Sequence, residues 1–264
     1  LSDFDVNELW SVVDALADAA RVETLRHFRK ADLQTESKRA DFDPVTVADK
    51  GAEAAMRTVL AAERPDDAIL GEEFAAKEGT TGLTWVLDPI DGTRSYISGT
   101  PTWGVLIACS DANGPVLGAI DQPYIGERFY GGPGRAEVIG PMGRRALKVR
   151  GTTDLAQATL FTTFPEVGTV DEARAFRRVA DRVRLTRYGC DCYAYALLAA
   201  GQIDLVIEAG LQAYDVQAPI AVIQAAGGIV TDWSGRPVHK GGQVIAAATP
   251  ELHRAALALM ADSL

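Results

Sequence analysis

Cysteine is scarce: Cys109, Cys190 and Cys192 are all that the 264 residues contain. Three thiols build no disulfide framework, and Cys190-Asp191-Cys192 lacks the second ligand pair that a structural zinc site needs. Histidine is equally rare, and His27, His239 and His253 stand in no ligand spacing, so all three read as surface residues. Cations are outnumbered, with 26 Lys plus Arg against 36 Asp plus Glu and a formal charge of −10. That balance argues against nucleic acid as a partner, because phosphate-backbone binding needs clustered positive charge. No stretch approaches the ~18 uninterrupted apolar residues of a membrane span. Leu1 to Trp10 is acidic and lacks the basic start and apolar run of a secretory leader. These absences predict a soluble, cytoplasmic chain with no membrane partner.

What is present is an ordinary globular composition, 47% hydrophobic and 23% charged. A chain of this size buries roughly three quarters of its unfolded surface, enough for one large domain or two packed lobes. Val6, Leu9, Val13, Leu16 and Ala20 recur at helical steps, and Thr46 to Glu63 reads as a second helix with Ala52, Ala55, Val59 and Ala62 along one stripe. Short apolar runs follow at 68–70, 83–87, 103–108 and 115–120. Asn113-Gly114 between the last two predicts a hairpin and an antiparallel sheet. After a basic, Gly- and Pro-containing passage from Gly131 to Arg150, strands and helices alternate to a closing helix, 250–262, with Pro in its first turn. The change of pattern predicts two lobes, 1–145 and 146–264.

The segment Trp85-Val86-Leu87-Asp88-Pro89-Ile90-Asp91-Gly92-Thr93 carries the most chemistry. A buried-type strand ends in two carboxylates three residues apart. Proline fixes the backbone between them, the Ile90 carbonyl offers a third oxygen, and Gly92 allows close approach by a ligand whose phosphate the Gly92 and Thr93 amides would face. Oxygen-only ligation suits magnesium or manganese. The alternative is a Pro-x-Asp-Gly turn whose acids are merely solvated. Three more acids stand at element ends: Glu72 after the run 68–70, Asp49 at the start of the second helix, and Asp215 at the start of a later one. Taken singly, Glu72 reads as a loop acid and the other two as helix caps.

Pro44-Val45-Thr46-Val47-Ala48-Asp49, Gly71-Glu72-Glu73, Trp85 through Thr93, and Tyr214-Asp215 followed by Ala225-Ala226-Gly227-Gly228 together resemble the inositol monophosphatase family of lithium-sensitive magnesium phosphatases. The acid spacing disfavours haloacid dehalogenase-type phosphatases, whose motif places its acids two apart. The resemblance implies a layered αβαβα sugar-phosphatase fold with the active site between two lobes, a homodimer, and a small phosphomonoester substrate. It makes Glu72, Asp88 and the Ile90 carbonyl ligands of a first Mg²⁺, and Asp88, Asp91 and Asp215 ligands of a second. The resemblance also implies a weak third ion held through Glu72 and water, substitution by Mn²⁺ and inhibition by Li⁺. By the same resemblance Thr93, polarised by Asp49, would orient the attacking water beside Glu72, and Lys38 stands in the family's register for a basic residue near the site.

Two departures bear on substrate. Arg94-Ser95-Tyr96-Ile97-Ser98-Gly99 replaces the usual sequel to Asp-Gly-Thr, and Tyr188-Gly189-Cys190-Asp191-Cys192-Tyr193-Ala194-Tyr195 occupies the substrate-loop position. Both look like the branch of the family that hydrolyses histidinol phosphate. Asp191 and Glu208 are then the acids that meet the substrate's ammonium, and Arg187 a residue that reaches the ligand or a neighbouring subunit. The plainer readings are a helix cap for Asp191, an exposed strand-end acid for Glu208 and pocket-wall thiols for Cys190 and Cys192. The implied function is histidinol-phosphate phosphatase in histidine biosynthesis; the alternatives are an inositol or sugar monophosphatase and a non-catalytic regulatory binding protein.

Overall fold

A computed structural model describes residues 5–30, 35–37 and 44–261; Lys38 lies outside them. Helix α1 (Val6–His27) starts at Asp5, whose side chain accepts from the Asn7 amide. An antiparallel pair, β1 (Thr35–Ser37) and β2 (Pro44–Thr46), leads into α2 (Val47–Glu63). Thr46 and Asp49 cap α2 reciprocally: the Thr46 amide and hydroxyl both donate to Asp49, at 2.8 and 2.6 Å. The buried face of α2 runs through Ala48, Ala52, Met56 and Leu60, which corrects the expected stripe, since Val59 is half-buried and Ala62 exposed. The large side chains Met56 and Leu60 set that face, and alanine follows whichever direction they choose.

A seven-stranded sheet comes next: β3 (Ala68–Gly71), β4 (Thr84–Asp91), β5 (Gly104–Asp111), β6 (Gly114–Gln122), β7 (Glu127–Gly132), β8 (Arg135–Gly140) and β9 (Gly143–Ala146), in spatial order, with the short helix α3 (Thr93–Ile97) between β4 and β5. The β5–β6 hairpin forms as expected, with Ala112 and Asn113 turning the chain between the paired Asp111 and Gly114, and Gly114 at φ +125°. The basic, Gly- and Pro-containing passage 131–150, for which the sequence pattern predicts no element, carries the end of β7 and all of β8 and β9. Strand β9 is exposed at every residue, so backbone pairing forms it without an apolar period to announce it.

The second half contributes β10 (Thr159–Thr162), α4 (Val170–Ala180), β11 (Leu185–Tyr188), α5 (Asp191–Ala199), β12 (Leu205–Gln212), α6 (Ala213–Ala225), β13 (Ile229–Thr231), β14 (Gly241–Ala247) and α7 (Pro250–Ala261). Its five strands lie in the order β11-β10-β12-β14-β13.

Alternation along the strands divides the apolar side chains among three cores. Trp85, Leu87, Val105 and Ile107 pack with α1 and α2, whereas Val86, Leu106, Ala108 and Ile120 pack with α5 and α6. Phe161, Val206, Val244 and Ala246 cover the other side of α5 and α6, and Leu160, Leu205, Ile207 and Ile245 pack with α4 and α7. The layers are therefore αβαβα, with α5 and α6 sandwiched between the sheets. Gly118 admits α6: a Cβ there would stand 2.9 Å from the Ala218 Cα. His253 corrects the surface reading, since it is buried in α7 with Nε2 2.8 Å from the Thr231 hydroxyl.

Candidate active site

Asp88 and Asp91 would project from opposite faces of a regular strand, because their separation is odd. Strand β4 avoids this with a bulge: Asp88 pairs with Leu106 and Asp91 with Gly104, so three steps on β4 answer two on β5. The extra residue turns both acids into one cavity. Pro89, which has no amide to give to a central ladder, sits within the irregularity. Strand β12 repeats the device between Glu208 and Leu211, where Gly210 adopts φ +82°.

The cavity, of about 380 Å³, is lined by Glu72, Asp88, Ile90, Asp91, Gly92, Thr93, Asp191, Glu208 and Asp215 among others. Carboxylate oxygens of Asp88, Asp91 and Asp215 lie within 4.8 Å of one another. Asp88 is fully buried and its carboxyl is held well above the ordinary range, first by loss of hydration and then by Glu72, Asp91 and Asp215; it also shares a hydrogen bond with Glu72. Burial, Asp215 and Asp191 push Asp91 the same way, although the Cys192 amide donates to its Oδ2 at 2.5 Å. Such a set of crowded hard oxygen donors fits a divalent cation, whose charge offsets the repulsion.

Thr93 Oγ1 lies 3.3 Å from Asp49 Oδ1 and 3.2 Å from the Ile90 carbonyl, so the hydroxyl, the carbonyl and the α2 cap form one chain of contacts. Burial raises Asp49 to about 6, against the two hydrogen bonds from Thr46. Asp215 occupies the position in α6 that Asp49 holds in α2, accepting from the Gln212 amide at 2.6 Å. Both acids therefore serve as third-residue partners of capping boxes, not as the caps themselves.

Asp191 is the first residue of α5, at φ +45°, and accepts from Ser95 Oγ at 2.6 Å and Thr102 Oγ1 at 3.4 Å. These contacts bind the start of α5 to α3. Gly92 permits the approach: a Cβ there would stand 2.7 Å from the Asp191 Cγ. Glu208 is buried rather than an exposed strand-end acid, and accepts from the Thr163 amide and hydroxyl at 2.6 and 2.8 Å and from Thr162 Oγ1 at 3.1 Å. Among the described residues no cation pairs with it. Arg187 is exposed on the edge strand β11 and is not among the cavity's lining residues. Arg94 lines the cavity instead, its guanidinium 5.0 Å from the centre of the Phe164 ring. Cys192 lies in the cavity wall and, like Cys109 and Cys190, is free.

The profile of the inositol monophosphatase family matches residues 5–264. The chain belongs to that family. Among relatives it is 42% identical over 269 residues to "Bifunctional phosphatase IMPL2, chloroplastic" of Arabidopsis thaliana, covering 97% of this chain and 76% of the relative. It is 35% identical over 248 residues to a histidinol-phosphatase of Streptomyces coelicolor, covering 90% and 91%. Among solved structures, an inositol monophosphatase from Zymomonas mobilis superposes with a TM-score of 0.84 at 38% identity, covering 95% of this chain and 96% of that one. The chain is thus a member of a metal-dependent phosphatase family that acts on small phosphate esters, with the family's layered fold. No helix among its described residues is long and apolar enough to cross a membrane.

Sequence reasoning passed over Arg94, Phe164 and Tyr195 as cavity residues. Tyr195 had a signal: it stands four residues after Asp191, on the same face of the helix both occupy. Arg94 had one in its place beside Thr93, in the segment that departs from the family pattern, whereas Phe164 had none, since 70 positions separate it from Arg94 and only the packing of the two halves joins them.

Proposed function

We propose that this phosphatase hydrolyses histidinol phosphate with Mg²⁺ as its resident cation. The supporting observation is the pair Asp191 and Glu208, two acids in the same cavity as the Asp88–Asp91–Asp215 cluster, of which Glu208 is buried without a described cationic partner. A substrate carrying an ammonium beside its phosphate ester satisfies both ends of such a cavity, whereas a neutral polyol leaves Glu208 uncompensated.

Asp88, Asp91, Asp215, Glu72 and the Ile90 carbonyl would hold the cations, which when bound neutralise the phosphate, lower the pKa of water and stabilise the leaving alkoxide. The Thr93 hydroxyl, aimed by Asp49, orients the water for in-line attack, and Glu72 stands beside it to receive the proton. Asp191, aimed by Ser95 and Thr102, and Glu208, aimed by Thr162 and Thr163, hold the ammonium and so fix where the ester lies.

The second reading, an inositol or other polyol phosphatase, is favoured by the likeness to the Zymomonas mobilis enzyme. Phosphate release from histidinol phosphate, inositol-1-phosphate and fructose-1,6-bisphosphate, with and without Mg²⁺, separates the two. A kcat/KM for histidinol phosphate no higher than for the polyol phosphates would reject the first reading.

A further inference from the structure

The Tyr195 side chain lines the cavity, the residue is 4% exposed, and its hydroxyl has no hydrogen-bond partner among the described residues. A buried phenol without a partner is costly, because the group has lost water and gained nothing. The rest of the cavity wall does not share the defect: the Glu208, Asp191 and Thr93 side chains all have partners. The acids whose charge reaches this hydroxyl are Glu208 first, then Asp91 and Asp215. The phenol shares one cavity with the acids assigned to the organic end of the substrate and those assigned to its phosphate end, one helical turn after Asp191 on α5. In any bound monoester the oxygen that joins those two ends is the one bridging phosphorus to carbon.

We propose that the Tyr195 hydroxyl donates a hydrogen bond to the bridging ester oxygen and so stabilises the leaving alkoxide. Water forms the new P–O bond and gives up a proton; the ester P–O bond breaks and its electron pair goes to the alkoxide oxygen, which takes up a proton and departs as alcohol. Tyr195 keeps its own proton throughout. Its contribution is a donor already placed where charge develops, and the missing acceptor in the free protein arrives with the substrate. The inference rests on the phosphomonoesterase reading but not on which alcohol is released.

The test is Tyr195→Phe, which removes one oxygen and keeps the ring. For alkyl phosphates, histidinol phosphate or inositol-1-phosphate, kcat should fall about ten- to a hundredfold with KM little changed. For 4-nitrophenyl phosphate, whose leaving group is already a stable anion, the fall should be less than about threefold. The melting temperature of the ligand-free variant should stay the same or rise, since an unsatisfied donor has been removed. Equal losses on alkyl and aryl esters, an unchanged kcat on the alkyl ester, or a loss matched by a lower melting temperature would each overturn the proposal. If wild-type enzyme hydrolyses inositol-1-phosphate but not histidinol phosphate, the substrate reading fails while the leaving-group comparison still stands or falls on its own.

Discussion

Replacing Glu208 with Gln should make the ligand-free protein more stable, and increasingly so as pH rises. Glu208 is 7% exposed. Burial pushes its carboxyl from 4.5 up to about 7; hydrogen bonds from Thr163 and Thr162 offset part of this, and Asp191 adds repulsion. Because the folded value lies above the unfolded one, the protonated acid favours folding: its contribution is fully present below about 4.5 and is lost as pH rises through about 7. At about 1.36 kcal/mol per pKa unit the loss by pH 8 is on the order of 3 kcal/mol. Gln keeps the shape and one carbonyl for the Thr163 amide, and the Thr162 hydroxyl can rotate to accept from the new amide. The variant therefore retains the contacts and escapes the titration. Urea unfolding of both proteins in chelator at pH 5, 6, 7 and 8 measures the difference, and the other titrating acids largely cancel in the subtraction. The stability advantage of the variant should grow across that range. A difference that is flat, or that shrinks as pH rises, would refute the claim that Glu208 is held against ionisation by burial.

Asp88→Asn should abolish most turnover, by orders of magnitude, because it removes charge from the centre of the cation-holding cluster; undiminished phosphate release would reject the assignment. Thr93→Ala should lower kcat while calorimetric binding of Mg²⁺ persists, since it removes none of the oxygens assigned to the cations and leaves the Ile90 carbonyl in place; a change in KM alone would make it a substrate contact. Asp191→Asn should tolerate the positive φ, which Asn adopts readily, and keep an oxygen to accept from Ser95, so the fold should survive with a melting temperature close to that of the wild type. Its kcat/KM for histidinol phosphate should nevertheless fall roughly ten- to a hundredfold, and far less for an amine-free phosphate, so equal losses on the two substrates would remove the amine role.

Local chemistry made several features legible from the residues alone. Asn113-Gly114 marks the β5–β6 hairpin, Pro250 opens α7, and α2 starts beside Thr46 with Asp49 in its first turn. Each depends on torsions and hydrogen bonds within a few residues, which a sequence states directly. The edge strand β9 was not legible, because its Gly, Arg and Ala residues are all exposed and it is held by the ladder beside it, while β7 and β8 bury little more than Phe129, Tyr130 and Val138 among glycines and charged residues that break the alternation. The same limit governs the site. The sequence offered a pool of acids, Glu72, Asp88, Asp91, Asp191, Glu208 and Asp215, at element ends, and the spacing of Asp88 and Asp91 by itself would have set them on opposite faces of a strand. The bulge in β4 brought them to one side, the bulge in β12 redirected the chain after Glu208, and the packing of α5 between the sheets brought Asp191 and Tyr195 to the same cavity. Which acids meet, which of them lose water and which hydroxyl is left without a partner depend on contacts between residues far apart in the chain, and those exist only once the layers have closed.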